Sequence, residues 1–329
     1  MAGYNEIRGL RVKYLSADPS NPEDGQVWYN STTGNLRVKG VAIAAFASAA
    51  ALPTGTSTYN RAGTMTAGLF AGGNTSTGFS TATYEWNGSG WTSGGAIGTA
   101  LYSNTGFGTQ TAGASAAGRP TNGSSGDTNA TFEYDGSSWT SVNAANLAAR
   151  TRQSFGIQTA AAMVGGFSQS GGSYTNATEE YDGTNWTTVT VMPAATASAN
   201  AIGTQTAAIV SLGGAPTVAT TYVAYDGTNW TSSPSANIAR ARSAAGGTGA
   251  TSTAGLVIGG TPYNPSVVAE TWDGTSWANS ASITTARYGA GVSDGNTNGI
   301  IAGGRTAPGF ETAVEEFTVV TTARNITTS

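Results

Sequence analysis

Five times between Tyr84 and Ala278 the chain writes one phrase: YEWNGSGWT from Tyr84, FEYDGSSWT from Phe132, EEYDGTNWT from Glu179, VAYDGTNWT from Val223 and ETWDGTSWA from Glu270. The closing tryptophans, Trp91, Trp139, Trp186, Trp230 and Trp277, stand 48, 47, 44 and 47 residues apart. A catalytic motif serves one site and occurs once, so a phrase recurring at this interval describes architecture. A second ladder runs in register with the first: LFAGG ending at Gly73, SAAGR with Gly118, MVGG ending at Gly166, SLGG ending at Gly214, VIGG ending at Gly260 and IIAGG ending at Gly304. Six units share one plan.

Within a unit the apolar runs are short, bounded by glycine and by Asp-Gly pairs, and none has the period of a helix. Asp-Gly suits a tight hairpin, because glycine accepts positive φ and aspartate bonds its own backbone. Each period holds four strands. In the third unit these are expected near Gln153–Ile157, 160–164, 177–181 and 186–191. Radial repetition of four-stranded sheets makes a propeller, in which neighbouring blades share a core and the tryptophan fills the wedge between them. The sixth unit ends without Asp-Gly or Trp, so one outer strand is missing. Phe46 precedes Gly73 by 27 residues, as Trp91 precedes Gly118. Residues 41–52 therefore supply the outer strand of the last blade and close the ring, which removes two open sheet edges.

Only 10% of the residues are charged, the net charge is -4, and Lys13 and Lys39 accompany twelve arginines. No basic field is present to hold a phosphate backbone, so nucleic-acid binding is not expected. The chain has neither histidine nor cysteine, which removes disulfides, thiol and imidazole catalysis and the usual zinc, copper and iron ligands. No cofactor, metal site or catalytic residue is expected. The N-terminus lacks the apolar run of a secretory signal, and VAIAAFASAAAL at 41–52 is too short to span a bilayer, so no membrane insertion is expected.

The order Gly-Gly, Tyr-Asp, Trp, then arginine before the next strand, as in ANLAARTR and ANIARAR, resembles the Kelch repeat over roughly residues 42–320. It departs from that pattern in the Gly-Arg of the second unit and in turns that lack proline after aspartate. The resemblance implies an all-β, six-bladed Kelch-like propeller, and it leaves function open. Enzymes resembling galactose oxidase build a copper site from histidine and a cysteine-crosslinked tyrosine, which this chain cannot supply. Sialidase Asp boxes place a residue between Asp and Gly, whereas Asp182-Gly183 and Asp226-Gly227 are adjacent.

Residues 1–40 differ in kind. NPEDGQVWYNSTTGNLRVKG reads as a hairpin with strands at 26–30 and 35–39. It resembles a short module, Asn-Pro-x-x-Gly-x-x-Trp-Tyr-Asn followed by Thr-Gly-x-Leu, of tail-fibre and other virion proteins of bacteriophages. That resemblance implies an N-terminal virion-attachment segment at 1–40 ahead of a propeller at 41–329. Trp28 and Tyr29, too large for so small a segment to bury, are the expected assembly contacts with other virion proteins.

Glu85, Glu133, Glu180 and Glu270 recur before the turns, which the repeat explains better than a glycosidase pair does. The residues that vary at equivalent positions are Tyr59, Asn104, Arg152, Ala199, Arg242 and Arg287, four residues before the inner-strand glycine. Superposed units place them around one mouth of the central channel. There the arginines either bond neighbouring carbonyls or bind a glycan or anion. The expectation is a non-enzymatic, homo-oligomeric bacteriophage virion protein, a tail or appendage component whose propeller binds a host-surface glycan or protein. The alternatives are a purely structural spacer and a glycan-cleaving propeller.

Overall fold

The computed structural model describes residues 12–20, 22–23, 25–40, 43–57, 60–120, 126–212, 214–239, 244–245, 252–261, 265–293, 295–306, 309–320 and 323–325. All regular structure among them is strand. Among the described residues no helix is long and apolar enough to cross a membrane. Two compact units emerge: one from the described residues of Met1–Ala45 and Val319–Ser329, the other Phe46–Thr318.

The larger unit carries six four-stranded antiparallel sheets among the described residues. From innermost to outermost strand, sheet 1 runs from Asn60–Thr64 to Trp91–Gly94, sheet 2 from Thr105–Gly108 to Trp139–Val142, and sheet 3 from Gln153–Ile157 to Trp186–Val189. Sheet 4 runs from Ala201–Thr204 to Trp230–Ser233 and sheet 5 from Ala244–Ala245 to Trp277–Asn279. Sheet 6 begins at Gly291–Ser293, continues through Asn298–Ala302 and Val314–Val320, and has Ile43–Ala49 as its fourth strand.

The repeated phrase is the hairpin between the third and fourth strands, where Tyr181 pairs with Trp186 and Tyr225 with Trp230. Asp182 Oδ1 accepts the backbone N–H groups of Thr184 at 2.8 Å and Asn185 at 2.7 Å. Gly183, at φ +90°, lies so near Thr159 that a Cβ there would meet its Cα at 3.2 Å. The Asp-Gly turn is thus packed on the turn joining the first two strands of its own sheet. Asp135, Asp226 and Asp273 repeat the arrangement, and Asn87 performs it in sheet 1.

The core lies between sheets. Phe107 and Ala114 of sheet 2 pack with Met163, Tyr181 and Trp186 of sheet 3. Phe155 and Val164 of sheet 3 meet Val210 and Tyr225 of sheet 4, and Ile202 of sheet 4 meets Val257 and Trp277 of sheet 5. Phe70 and Trp86 of sheet 1 share a cluster with Ile300 and Val314 of sheet 6. Trp186 and Trp277 are buried to 7% and 8% exposure, as expected of wedge residues; Trp91, Trp139 and Trp230 are only half-buried.

Polar side chains stitch the same seams. Gln158 Nε2 donates to Gly113 O and Tyr134 O of the preceding sheet, and Gln205 Nε2 to Ala161 O and Tyr181 O. The smaller unit is a four-stranded sheet ordered Lys13–Leu15, Val27–Asn30, Asn35–Lys39, Ala323–Asn325, with the first pair parallel. The hairpin is where the sequence placed it; the parallel edge strand and the returning C-terminal strand add to it.

Candidate functional site

Each sheet of the larger unit has two ends. One carries the Asp-Gly turns. The other carries the Gly-Gly corners, the links between second and third strands, and the links that enter the next sheet. There Gly166 N donates to Thr196 O at 2.7 Å and Arg150 N to Phe167 O at 3.0 Å, so the two kinds of link are tied together. Ser103, Thr151 and Ser198, the residues that lead into the inner strands of sheets 2, 3 and 4, all have positive φ (54°, 56° and 54°). Thr151 N donates to Ser103 O and Ser198 N to Thr151 O, at 3.0 and 3.1 Å. Left-handed backbone at non-glycine residues costs about 1–3 kcal/mol each and persists only where the surroundings enforce it; this chain of bonds enforces it.

Of the two roles expected for the channel-mouth arginines, ligand binding is corrected for Arg152 and Arg287. Tyr59 and Arg242 lie outside the described residues. Arg152 and Arg287 are 2% and 0% exposed and offer nothing to a ligand. Arg152 Nη1 is ion-paired with Glu179 Oε2 on the third strand of its own sheet, and its Nη2 donates to Met163 O at 3.1 Å. Glu179 Oε1 accepts Leu147 N at 3.0 Å. Arg287 pairs with Glu315 at 3.0 Å, and Glu315 Oε2 accepts Thr284 N at 2.9 Å. The pair clips the entering link onto the sheet, because a buried guanidinium needs a carboxylate partner more than an exposed one does. Burial pulls Arg152 below its ordinary pKa, and the Glu179 carboxylate opposes that shift. Asn104 is also buried, donating to Ser115 Oγ at 2.9 Å, and Ala199 is 3% exposed.

The pairing was legible in the sequence. Arg152, Arg242 and Arg287 occur in units whose third strand carries Glu179, Glu270 and Glu315 at one register position, whereas Tyr59, Asn104 and Ala199 accompany Tyr84, Phe132 and Val223. Glu270, 1% exposed, accepts Asn237 N at 2.8 Å, as Glu179 accepts Leu147 N. The glutamates before the turns therefore form two sets. Glu85, Glu133 and Glu180 form the second, each accepting a tyrosine hydroxyl from the next sheet: Tyr134, Tyr181 at 2.8 Å and Tyr225 at 2.8 Å. Burial, then the glutamate acceptor, raises all three tyrosine pKa values. These carboxylates lock separate seams and do not flank one bond as a glycosidase pair must. Among the described residues no group of three acidic side chains is placed to hold a metal ion.

What the Gly-Gly end does present is arginine beside aromatic rings. Arg150 lies over Phe167 at 4.6 Å and donates to Asp127 at 2.8 Å and Gln169 at 3.0 Å. Phe167 in turn meets Tyr174, 38% exposed, edge-on at 5.2 Å. Phe79, from the link of sheet 1, stacks on Tyr102 at 5.1 Å and 14°, and Arg119 is the cross-strand partner of Tyr102. Arg305, exposed, lies over Phe310 at 4.9 Å, and its backbone pairs with Tyr288. The sequence reading missed these groups because they lie in the links, outside the repeat.

The expected assembly contacts are corrected in part. Trp28 is fully buried within the chain, its indole N–H donating to Asp18 Oδ1 at 2.9 Å. Asp18 also accepts Asn30 Nδ2 at 2.8 Å and pairs with Arg37. The parallel strand and this acidic hub bury the ring without help from a partner. Tyr29, half-buried, lies against Tyr14 with ring centres 4.5 Å apart, and Tyr14 is 74% exposed.

No protein-family model and no curated protein matches the sequence. A solved structure, titled "Structure of YjhT", superposes with a TM-score of 0.66 over 84% of this chain and 99% of that one, at 15% identity. The chain has an all-β, propeller-like fold. At that identity the likeness speaks for the fold alone.

Proposed function

We propose that the chain is a non-enzymatic bacteriophage virion protein, a tail or appendage component whose six-bladed Kelch-like propeller binds the host surface. The observation that carries this reading is the division of the chain: the virion-like motif forms its own sheet, separate from the propeller-like unit. Ring closure by Ile43–Ala49 belongs to the same reading. Phe46 meets Phe317 at 5.0 Å, much as Trp186 meets Tyr181 at 4.9 Å. The exposed Tyr14, backed by Tyr29, replaces Trp28 as the surface for assembly with other virion proteins and, in a homo-oligomer, with further copies.

The burial of Arg152 and Arg287 favours a second reading, a spacer with no receptor, because these two channel-mouth candidates are closed to a ligand. Adsorption competition separates the two. Purified full-length chain, added to host cells before the phage, lowers adsorption in proportion to its concentration if it binds the surface. Unchanged adsorption at saturating protein favours the spacer.

A further inference from the structure

The two ends of the propeller-like unit differ in charge. Asp135, Asp182, Asp226 and Asp273 are exposed at the turn end, and the turn N–H groups hold their carboxyls below the ordinary range, so they are ionised at neutral pH. The other end holds Arg119, Arg150 and Arg305. Asp127 neutralises Arg150. Arg119 and Arg305 have no ion-pair partner among the described residues. Both accompany aromatic rings, Tyr102 with Phe79 and Phe310, each partly exposed, and aromatic rings of this kind pack on the C–H face of a sugar. Glu311 lies in the same link as Arg305, yet no carboxylate among the described residues pairs with Arg119 or Arg305, and each stands beside an aromatic ring.

The geometry points to an acidic polysaccharide, one whose sugars bear carboxylates, as the ligand of this end. Guanidinium forks match carboxylates bidentately, and the rings supply stacking that a small inorganic anion does not use. This rests on the proposed host-binding role and narrows it to a ligand class; the links of sheets 6, 1 and 2 form one arc only if the ring closes as proposed.

Biolayer interferometry on immobilised full-length chain, with polygalacturonate against uncharged dextran, tests it. Polygalacturonate should bind and dextran should not. Arg119→Gln with Arg305→Gln should weaken binding about 10-fold per arginine, and Phe79→Ala with Phe310→Ala should weaken it while circular dichroism stays native. Asp182→Asn with Asp226→Asn, on the far end, should leave binding unchanged. The proposal is overturned if the wild type does not bind, if dextran binds equally, if the arginine variant binds as the wild type does, or if the aspartate variant gains as much as the arginine variant loses. Location of the chain in purified particles is a separate measurement, so the virion role and the ligand class fail independently.

Discussion

The indole nitrogen of Trp91 donates to the backbone carbonyl of Ala50, 2.8 Å away and 41 residues earlier in the chain. The same bond recurs from Trp230 to Thr190 O at 3.0 Å and from Trp277 to Pro234 O at 3.2 Å. In both, the acceptor stands four residues past the tryptophan of the preceding sheet, Trp186 or Trp230. Ala50 stands four residues past Phe46, which gives Phe46 the part of that tryptophan. Deleting residues 41–52 should lower the melting temperature by about 10 °C or more, since the cost spans several kcal/mol, and deleting 1–36 should leave the propeller transition in place. Calorimetry on both truncations decides it; equal melting of the 41–52 deletion and the full chain contradicts closure.

The clip between Arg152 and Glu179 behaves as a buried ion pair. Removing one partner strands the other charge, so Arg152→Met or Glu179→Leu alone should cost about 3–5 kcal/mol. The two together should recover most of that loss, because an apolar pair leaves no buried charge. Urea unfolding of the four proteins in a double-mutant cycle measures the coupling. Additive losses contradict the clip.

Acid tests the turns. Asp135 is pulled down to about 2 by the N–H groups and hydroxyls of Ser137 and Ser138, and Asp182, Asp226 and Asp273 are lowered by the same kind of turn bonds. A carboxyl lowered in the folded state stabilises it fully above the unfolded value near 3.9 and loses that contribution as pH falls toward the folded value. Replacing all four with asparagine, as sheet 1 already does at Asn87, should keep the turns and make stability fall less steeply between about pH 4 and 2. Parallel curves for the two proteins contradict the assignment.

Asp18 holds the smaller unit by accepting from Trp28, Asn30 and Arg37. Asp18→Ala should expose the Trp28 indole, read as a red-shifted emission that Trp28→Phe abolishes, while the propeller transition stays put. A variant with unchanged emission shows that the hub is dispensable.

Much of this was legible in the sequence. The strands of the third unit were placed to within two residues, because Gly-Gly and Asp-Gly punctuate every sheet alike and apolar runs of four or five residues fit only strands. Trp28 was misjudged because the partner that satisfies it, Asp18, precedes the hairpin, and the parallel strand Lys13–Leu15 has no periodicity to announce it. The carboxylate partners of Arg152 and Arg287 were missed because the inner-strand entries were compared with one another and not with Glu179 and Glu315, 27 and 28 residues on. A charge that varies in step with an opposite charge one strand-pair away marks a buried pair. The arginine–aromatic groups escaped because the links that carry them differ from unit to unit.

The central claim is that this chain is a component of a bacteriophage particle, held by its N-terminal sheet and presenting its propeller outward. Immunogold electron microscopy of purified particles, with an antibody raised against residues 60–320, tests it most directly. Gold should mark the tail or its appendages on intact particles, and a phage encoding only residues 41–329 should lose the label. Unlabelled wild-type particles, with the protein confined to the lysate supernatant, would contradict it.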